Sequence, residues 1–133
     1  MSEPKEFHFH VYFHAQNSEE VAAALNIREK IIQRSNESKS YTAVPLSNVN
    51  YVPRDMGTPE SFANVYGWMA LNHGDLSVLV HPLTRYEKRD HTVHAAWLGQ
   101  RQELNLSSLR DEAPDECAQY PELKMGYHAE RNQ

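Results

Sequence analysis

The sequence predicts an α+β fold, in which an antiparallel sheet carries two helices on one face. Three observations predict it: strict alternation of apolar and polar residues over 7–14, helical spacing over 17–35 and 58–72, and a near-continuous apolar run over 76–81. Each helix follows a strand and precedes another, so the element order is β-α-β-β-α-β. That order is typical of a ferredoxin-like sheet. The 133 residues suit one domain with a modest core.

The first predicted strand, residues 7–14, has one apolar face and one face rich in histidine. The apolar set is Phe7, Phe9, Val11 and Phe13, and the polar set is His8, His10, Tyr12 and His14. A strand that buries one face normally presents ordinary polar residues on the other. Imidazole is the commonest metal ligand and an acid or base near neutral pH. The alternation therefore predicts a functional site on the second face of the sheet.

The first helix is predicted over residues 17–35. Asn17 is a favourable N-cap, and Glu20 stands where a capping box would close. After a polar loop, residues 41–52 are rich in β-formers but contain Pro45, which favours an edge position or two short strands.

The second helix is predicted to begin after Thr58 as N-cap and to end near Gly74 as C-cap. The run 76–81 then predicts a strand buried on both faces. Residues 86–91 are predicted to be a charged loop, and residues 92–98 a short strand or extended segment. We therefore expect a domain over residues 1–110 and a polar C-terminal tail over residues 111–133.

Composition and charge exclude several classes of partner and site. The net charge of −5 argues against a nucleic-acid or anionic membrane surface. The single cysteine, Cys117, excludes an intrachain disulfide and a cysteine-based zinc site. No apolar run is long enough to span a bilayer, and no apolar signal region follows the charged N-terminus. We expect a cytoplasmic protein.

Histidines at three places in the chain are candidate metal ligands. His8 and His10 leave the same strand face about 7 Å apart at Cα, which suits two ligands of one ion. His81 stands at the end of the central strand. A metal centre that binds a substrate needs about three protein ligands and open positions, and such ligands suit iron(II), zinc or manganese. The competing interpretation is that each histidine is merely a surface or core residue.

Other residues near these histidines have two interpretations each. Arg85 and Arg89 belong either to a solvated loop or to a site that pairs with a substrate carboxylate. Trp97 is either a core residue or a substrate-binding surface. Asp90 either caps a turn or belongs to the site together with His91.

Four segments of the chain closely resemble the DOPA 4,5-dioxygenase family of fungi and bacteria. They are Phe7–Phe13, the run Gly74–Thr84 with its Leu-Ser-Val-Leu-Val-His-Pro-Leu-Thr motif, Arg89–His91 and Ala96–Gly99. The resemblance covers residues 7–110. It implies a small, dimeric ferredoxin-like domain.

The resemblance also implies a chemistry. The expected activity is extradiol opening of a catechol ring, such as that of L-DOPA, with non-haem iron(II) and O2, as in pigment biosynthesis. The implied metal ligands are His8, His10 and His81, with zinc or another divalent metal as a substitute. His10, His81, His91 and Tyr12 are the implied catalytic residues, and Arg85, Arg89 and Trp97 the expected substrate contacts.

One segment departs from the family pattern. Family members carry a Gly-Pro-His-Pro segment and a further strand before the second helix, whereas residues 49–57 run almost directly into that helix. The third strand is therefore expected to be shortened or missing, with one candidate ligand lost. Three accounts remain open: the three histidines suffice, a partner subunit completes the site, or the chain is an impaired relative that acts as a metal- or small-molecule-binding dimeric module. Asp55 is a weaker candidate for a replacement carboxylate.

Overall fold

The computed structural model describes residues 4, 6–38, 41–45, 51–55 and 59–114. Over these ranges the chain forms five strands and three helices. In chain order they are β1 (Phe7–Tyr12), α1 (Ser18–Ser38), β2 (Tyr41–Pro45), β3 (Tyr51–Asp55), α2 (Pro59–Asn72), β4 (Ser77–Pro82), α3 (Glu87–Asp90) and β5 (Ala96–Leu98).

Strand β4 is the centre of a three-stranded antiparallel sheet with the order β1-β4-β5. Its residues from Ser77 to His81 are all buried, which confirms the prediction of a strand covered on both faces. The register places His8 of β1 directly opposite His81 of β4. This pairing decides the geometry of the site.

Strands β2 and β3 form a separate antiparallel pair, in which Tyr41 lies opposite Asp55 and Pro45 opposite Tyr51. The region therefore forms two short strands. The expectation that the third strand is missing is wrong, because β3 has five residues, an ordinary strand length. Strand β3 lies next to β1, without a hydrogen-bonded ladder between them.

The core lies between one face of the sheet and both long helices. From the sheet come Phe9, Val11, Val78 and Val80, from α1 come Ala24, Ile27 and Ile31, and from α2 come Val65 and Met69. The apolar face predicted for the first strand is therefore confirmed. Since the helices occupy this face, the histidine face of β1 points the other way.

Local details differ from the predictions in three places. Asn17 does cap α1, since its Oδ1 accepts hydrogen bonds from the backbone N–H groups of Glu19 and Glu20, but Glu20 closes no capping box. Its carboxylate instead lies 3.0 Å from His14 Nδ1. The segment predicted as a charged loop contains α3, and the strand predicted over 92–98 is confined to β5.

Two further predictions concern the ends of elements. Gly74 has a positive φ of 59° after α2, as a glycine C-cap requires. Among the helices that the structure describes, none is long and apolar enough to cross a membrane.

At the far end of the described chain, Ala113 is buried and its N–H donates a hydrogen bond to the carbonyl oxygen of Arg85. Residues 115–133 lie outside the described residues.

Candidate metal centre

Three imidazoles meet on the face of the sheet opposite the helices. His8 and His10 lie two residues apart on β1, and His81 lies across from His8 on β4. One nitrogen of each ring lies within 4.8 Å of a nitrogen of the other two. Alternation along β1 and the antiparallel register together bring them there, because residues directly opposite in a sheet share a face. We refer to His8, His10 and His81 as the imidazole cluster.

Two of the three imidazoles are almost completely removed from water. The side chains of His8 and His81 are 2% and 1% exposed, and that of His10 is partly buried. Burial lowers the pKa of His10 from 6.5 to about 3, with additional lowering from His8 and His91. Burial also lowers the pKa of His81 well below its usual value, and the neighbouring imidazoles lower it further. These two rings are therefore neutral at neutral pH, the form that binds metals.

A backbone hydrogen bond fixes which nitrogen His81 presents to the cluster. Its Nδ1 donates to the carbonyl oxygen of Pro82 at 2.8 Å, so Nε2 carries the lone pair. That Nε2 lies 3.1 Å from Nε2 of His10. Two imidazole nitrogens that bind one ion at about 2.0–2.1 Å lie about 3.0–3.4 Å apart. The pair therefore fits two neighbouring ligands of a divalent transition metal.

His91 adds a fourth imidazole beside the cluster. Its ring centroid lies 4.1 Å from that of His81 and 6.4 Å from that of His10. Its Nδ1 donates to the carbonyl oxygen of Glu87 at 2.8 Å, which leaves Nε2 as a proton acceptor. The structure thus brings together all four histidines that the sequence predicted.

A buried carboxylate holds His91 in place. Asp90 is 1% exposed and accepts hydrogen bonds from the backbone N–H and the hydroxyl of Thr84, at 2.7 and 2.8 Å. It also accepts one from Nδ1 of His94 at 3.0 Å. Asp90 therefore ties α3 to the chain just after β4, and so fixes the position of His91 relative to His81.

Tyr12 and Trp97 lie on the same sheet face as the cluster, with ring centroids 5.5 Å apart. Trp97 stands opposite Leu79 on β5, next to β4. Burial raises the pKa of Tyr12 above 10.0, so its phenol remains protonated and able to donate a hydrogen bond. Both predicted residues thus lie on the face that carries the cluster.

Two cavities adjoin this face. One, of about 230 Å³, is lined by residues that include His91, Trp97 and Leu104. The other, of about 220 Å³, is lined by residues that include Tyr12, His91 and Leu104. His91 and Leu104 are common to both. A larger cavity of about 730 Å³ reaches Tyr12 from the other end of the strands. No imidazole of the cluster lines any of these three cavities, and His91 is the histidine through which the two smaller ones adjoin the cluster.

The structure gives the two predicted arginines different surroundings. Arg85 forms an ion pair with Glu112 at 3.1 Å, and its Nε donates to the carbonyl oxygen of Ala113. Arg89 is exposed. His14 lies beyond the end of β1, where it is 73% exposed and pairs with Glu20. None of the contacts described for these three residues joins them to the imidazole cluster. The side chain of Asp55 lies outside the described residues.

Sequence reasoning missed Glu6, which lies on the same face as the cluster. Its side chain is 0% exposed, and its Oε2 lies 3.7 Å from Nε2 of His8. Among the described residues, neither carboxylate oxygen has a hydrogen-bond partner. Extending the alternation one step before Phe7 would have placed Glu6 with His8 and His10, but the charged residues around it suggested a solvated terminus.

Fold and site together define a small α+β protein with a buried three-histidine centre suited to a divalent metal. Comparison with known proteins agrees with this class. Residues 7–108 match the model of the Dopa 4,5-dioxygenase family, and the chain belongs to that family.

Two relatives and a solved structure are similar to this chain. It is 43% identical to the DOPA 4,5-dioxygenase of Amanita muscaria over 95% of its own length, and 32% identical to an uncharacterized 21.2 kDa protein of Botryotinia fuckeliana over 78%. The chain spans 59% and 63% of the lengths of these relatives. The chain is also similar to the crystal structure of a proposed dioxygenase from Nostoc punctiforme, with a sequence identity of 27% and a TM-score of 0.56. The match covers 77% of this chain and 89% of the Nostoc chain.

Proposed function

We propose that this protein is a metal-dependent dioxygenase that opens the ring of a catechol such as L-DOPA. The observation that carries the proposal is the imidazole cluster: His8, His10 and His81 converge within 4.8 Å, largely buried, and the pKa values of His10 and His81 are lowered. Three imidazoles, each neutral when it binds, can hold a divalent metal and leave positions open for substrate. The Amanita relative's name supports the reaction.

Iron(II) is the metal we propose, because when bound it would hold the two catechol oxygens and activate O2. In the extradiol reaction the ring carbon–carbon bond beside the hydroxyls breaks. Both oxygen atoms of O2 enter the product, so no external reductant is required.

The protein's own groups supply the proton transfers and the orientation. Nε2 of His91 is in position to accept a proton from a catechol hydroxyl, since Nδ1 is occupied by the carbonyl of Glu87. The protonated phenol of Tyr12 is a donor for a developing oxyanion. Trp97 provides an aromatic surface against which a single ring can pack.

The two cavities beside the cluster, which His91 lines and the three cluster imidazoles do not, favour a small substrate. They measure about 230 and 220 Å³, below the range of roughly 300–1,000 Å³ usual for drug-sized ligands. A one-ring catechol is therefore a better fit than a fused or polymeric phenol.

We further infer a ferredoxin-like arrangement, in which β3 and β2 continue the sheet beyond β1. The support is that β3 lies next to β1 and pairs with β2, while both long helices cover one face. A homodimer of a domain over residues 1–110, followed by a polar tail, is a proposal of the same kind. The first residues of that tail contact the domain, since Ala113 is buried and its N–H donates to the carbonyl oxygen of Arg85.

The test is oxygen consumption by protein reconstituted with iron(II) under anaerobic conditions. We expect oxygen uptake with L-DOPA or another catechol. His10→Ala and His81→Ala should abolish metal binding and uptake, because each removes one of the paired Nε2 ligands. His14→Ala is the matched control, since His14 lies just beyond the same strand and is 73% exposed.

Two outcomes would contradict the proposal. If the protein binds iron(II) stoichiometrically but consumes no oxygen across a panel of catechols, the chain is a metal-binding module. If His14→Ala impairs uptake as strongly as His10→Ala, the cluster is not the reaction centre.

A further inference from the structure

Glu6 is a buried carboxylate for which the proposed reaction so far has no use. Its side chain is 0% exposed, and neither oxygen accepts a hydrogen bond from any described residue. Burial of an ionised carboxylate is costly unless a hydrogen bond or an opposite charge compensates it. The nearest polar group described for it is Nε2 of His8, at 3.7 Å. A cation at the imidazole cluster would compensate a charge on this carboxylate.

The backbone fixes Glu6 at this position. Its carbonyl oxygen accepts a hydrogen bond from the N–H of Leu83 at 3.0 Å, which continues the pairing of β1 with β4 by one step. Glu6 is therefore held on the same face as His8 and His10 by the same ladder that positions His81. Its carboxylate is part of the site's framework.

We propose that Glu6 is a positioning residue of the metal centre: its carboxylate, 3.7 Å from Nε2 of His8, favours the proton on that nitrogen and so directs the lone pair of Nδ1 to the metal. Its negative charge also offsets part of the charge of a divalent cation in a site that otherwise offers only neutral ligands. This inference rests on the proposed metal centre and adds a residue to it.

The other imidazoles at the site use the same device. His81 and His91 each donate an Nδ1–H to a backbone carbonyl, of Pro82 and Glu87, which fixes the tautomer. Ligating histidines commonly donate their second N–H to a carbonyl or a carboxylate in this way. Glu6 is the corresponding group for His8, with the differences that it is a carboxylate and that it lies 3.7 Å from Nε2.

Metal affinity tests the role of the charge. Glu6→Gln keeps the shape and one acceptor oxygen but removes the charge. Glu6→Leu removes the charge and both acceptor oxygens. We expect Co²⁺, measured by competition with a chromophoric chelator, to bind about 10–100-fold more weakly to either variant. Glu20→Gln is the matched control, because Glu20 pairs with His14 at 3.0 Å outside the cluster, and its affinity should equal that of the original protein.

The tautomer of His8 gives a readout that needs no metal. In two-bond ¹⁵N–¹H NMR spectra of the metal-free protein at pH 7, His8 should carry its proton on Nε2. Glu6→Gln should retain this tautomer through its amide oxygen, and Glu6→Leu should lose the preference. A proton on Nδ1 in the unmodified protein would overturn the inference even if the variants fold poorly.

The outcomes separate this inference from the proposed reaction. Unchanged Co²⁺ affinity in both Glu6 variants rejects the role of Glu6, whatever the oxygen uptake of the original protein. Weakened affinity with no oxygen uptake by the original protein supports the role of Glu6 and rejects the dioxygenase.

Discussion

His10 is an ionisable group that the folded protein keeps neutral. Burial lowers its pKa to about 3, whereas in the unfolded chain the pKa returns to 6.5. Below pH 6.5 the unfolded chain therefore binds a proton that the folded protein does not. One such group lowers the free energy of unfolding by about 1.4 kcal/mol per pH unit below 6.5. The pKa of His81 is also lowered, first by burial, so His81 likewise lowers the free energy of unfolding as the pH falls.

This linkage predicts an acid sensitivity of the metal-free protein. Between pH 6.5 and pH 5, His10 alone should lower the free energy of unfolding by about 2 kcal/mol. Urea unfolding in the presence of a chelator measures this loss. His10→Asn should reduce the loss, and His14→Asn, which changes an exposed histidine, should leave it intact. Equal pH dependence in all three proteins would show that His10 titrates normally.

The carboxylate of a single residue, Asp90, joins α3 to the chain just after β4. Asp90→Asn removes the charge from a buried acceptor of bonds from Thr84 and His94. We expect the free energy of unfolding to fall by about 2–3 kcal/mol. Asp75→Asn, at an exposed position, should change it by less than about 0.5 kcal/mol. A similar small effect of both substitutions in urea unfolding would contradict this role of Asp90.

The sequence predicts the candidate metal ligands better than it predicts the residues that hold them in position. His8, His10 and His81 could be found because alternation and position mark them without knowledge of the fold. Glu6 and the role of Asp90 depend on contacts across strands and loops. Glu6 also stands among other charged residues at the start of the chain, where a solvated position is the usual expectation.

Among the elements, β5 is followed by a glycine that the backbone requires. Gly99 has a φ of 76°, and a Cβ at this position would lie 3.0 Å from the carbonyl oxygen of Leu76. The segment that follows contains Leu104, which lines both cavities beside His91. The turn at Gly99 therefore directs this segment over the face that carries the cluster.

Two glycine substitutions should have opposite effects. Gly99→Ala should lower the free energy of unfolding by about 2 kcal/mol, because both the positive φ and the contact with the Leu76 carbonyl are unfavourable for alanine. Gly67→Ala, in α2 with open space around its Cβ position, should raise it by about 0.5–1 kcal/mol. Thermal or urea unfolding of the two variants measures these changes. If Gly99→Ala raised the free energy of unfolding, the backbone would not require a glycine at this position.

The long helices could be predicted from spacing and capping, whereas the short helix α3 could not. Asn17 marks the start of α1, and Gly74 the end of α2, through local chemistry alone. Helix α3 has four residues, fewer than are needed to show helical periodicity. Its position depends on the buried carboxylate of Asp90, a tertiary contact that no local pattern reveals.

For the whole molecule, binding of a metal to the folded state should add to stability. A ligand at a hundred times its Kd, bound only by the folded protein, raises the free energy of unfolding by about 2.7 kcal/mol. We expect Co²⁺ to produce this increase in the original protein and none in His81→Ala. A Co²⁺ effect of the same size in His81→Ala would show that the ion binds elsewhere.

The arrangement of the molecule was predictable in outline. The order of strands and helices follows from the sequence, and so does the burial of β4 on both faces. The register, which sets His8 opposite His81, does not, because it joins residues about seventy positions apart. The third strand was underestimated because a family segment is absent there, although residues 51–55 still form a strand.

The pairing of His8 with His81 also bears on the lifetime of the site. Both residues lie in the hydrogen-bonded ladder between β1 and the buried central strand, so the backbone positions that carry the two imidazoles can separate only if that ladder opens. Core strands open with free energies close to that of global unfolding. Amide hydrogen exchange at residues 78–81 should therefore be among the slowest in the chain. A metal centre built in this way would be in place before the metal arrives and would persist after it leaves.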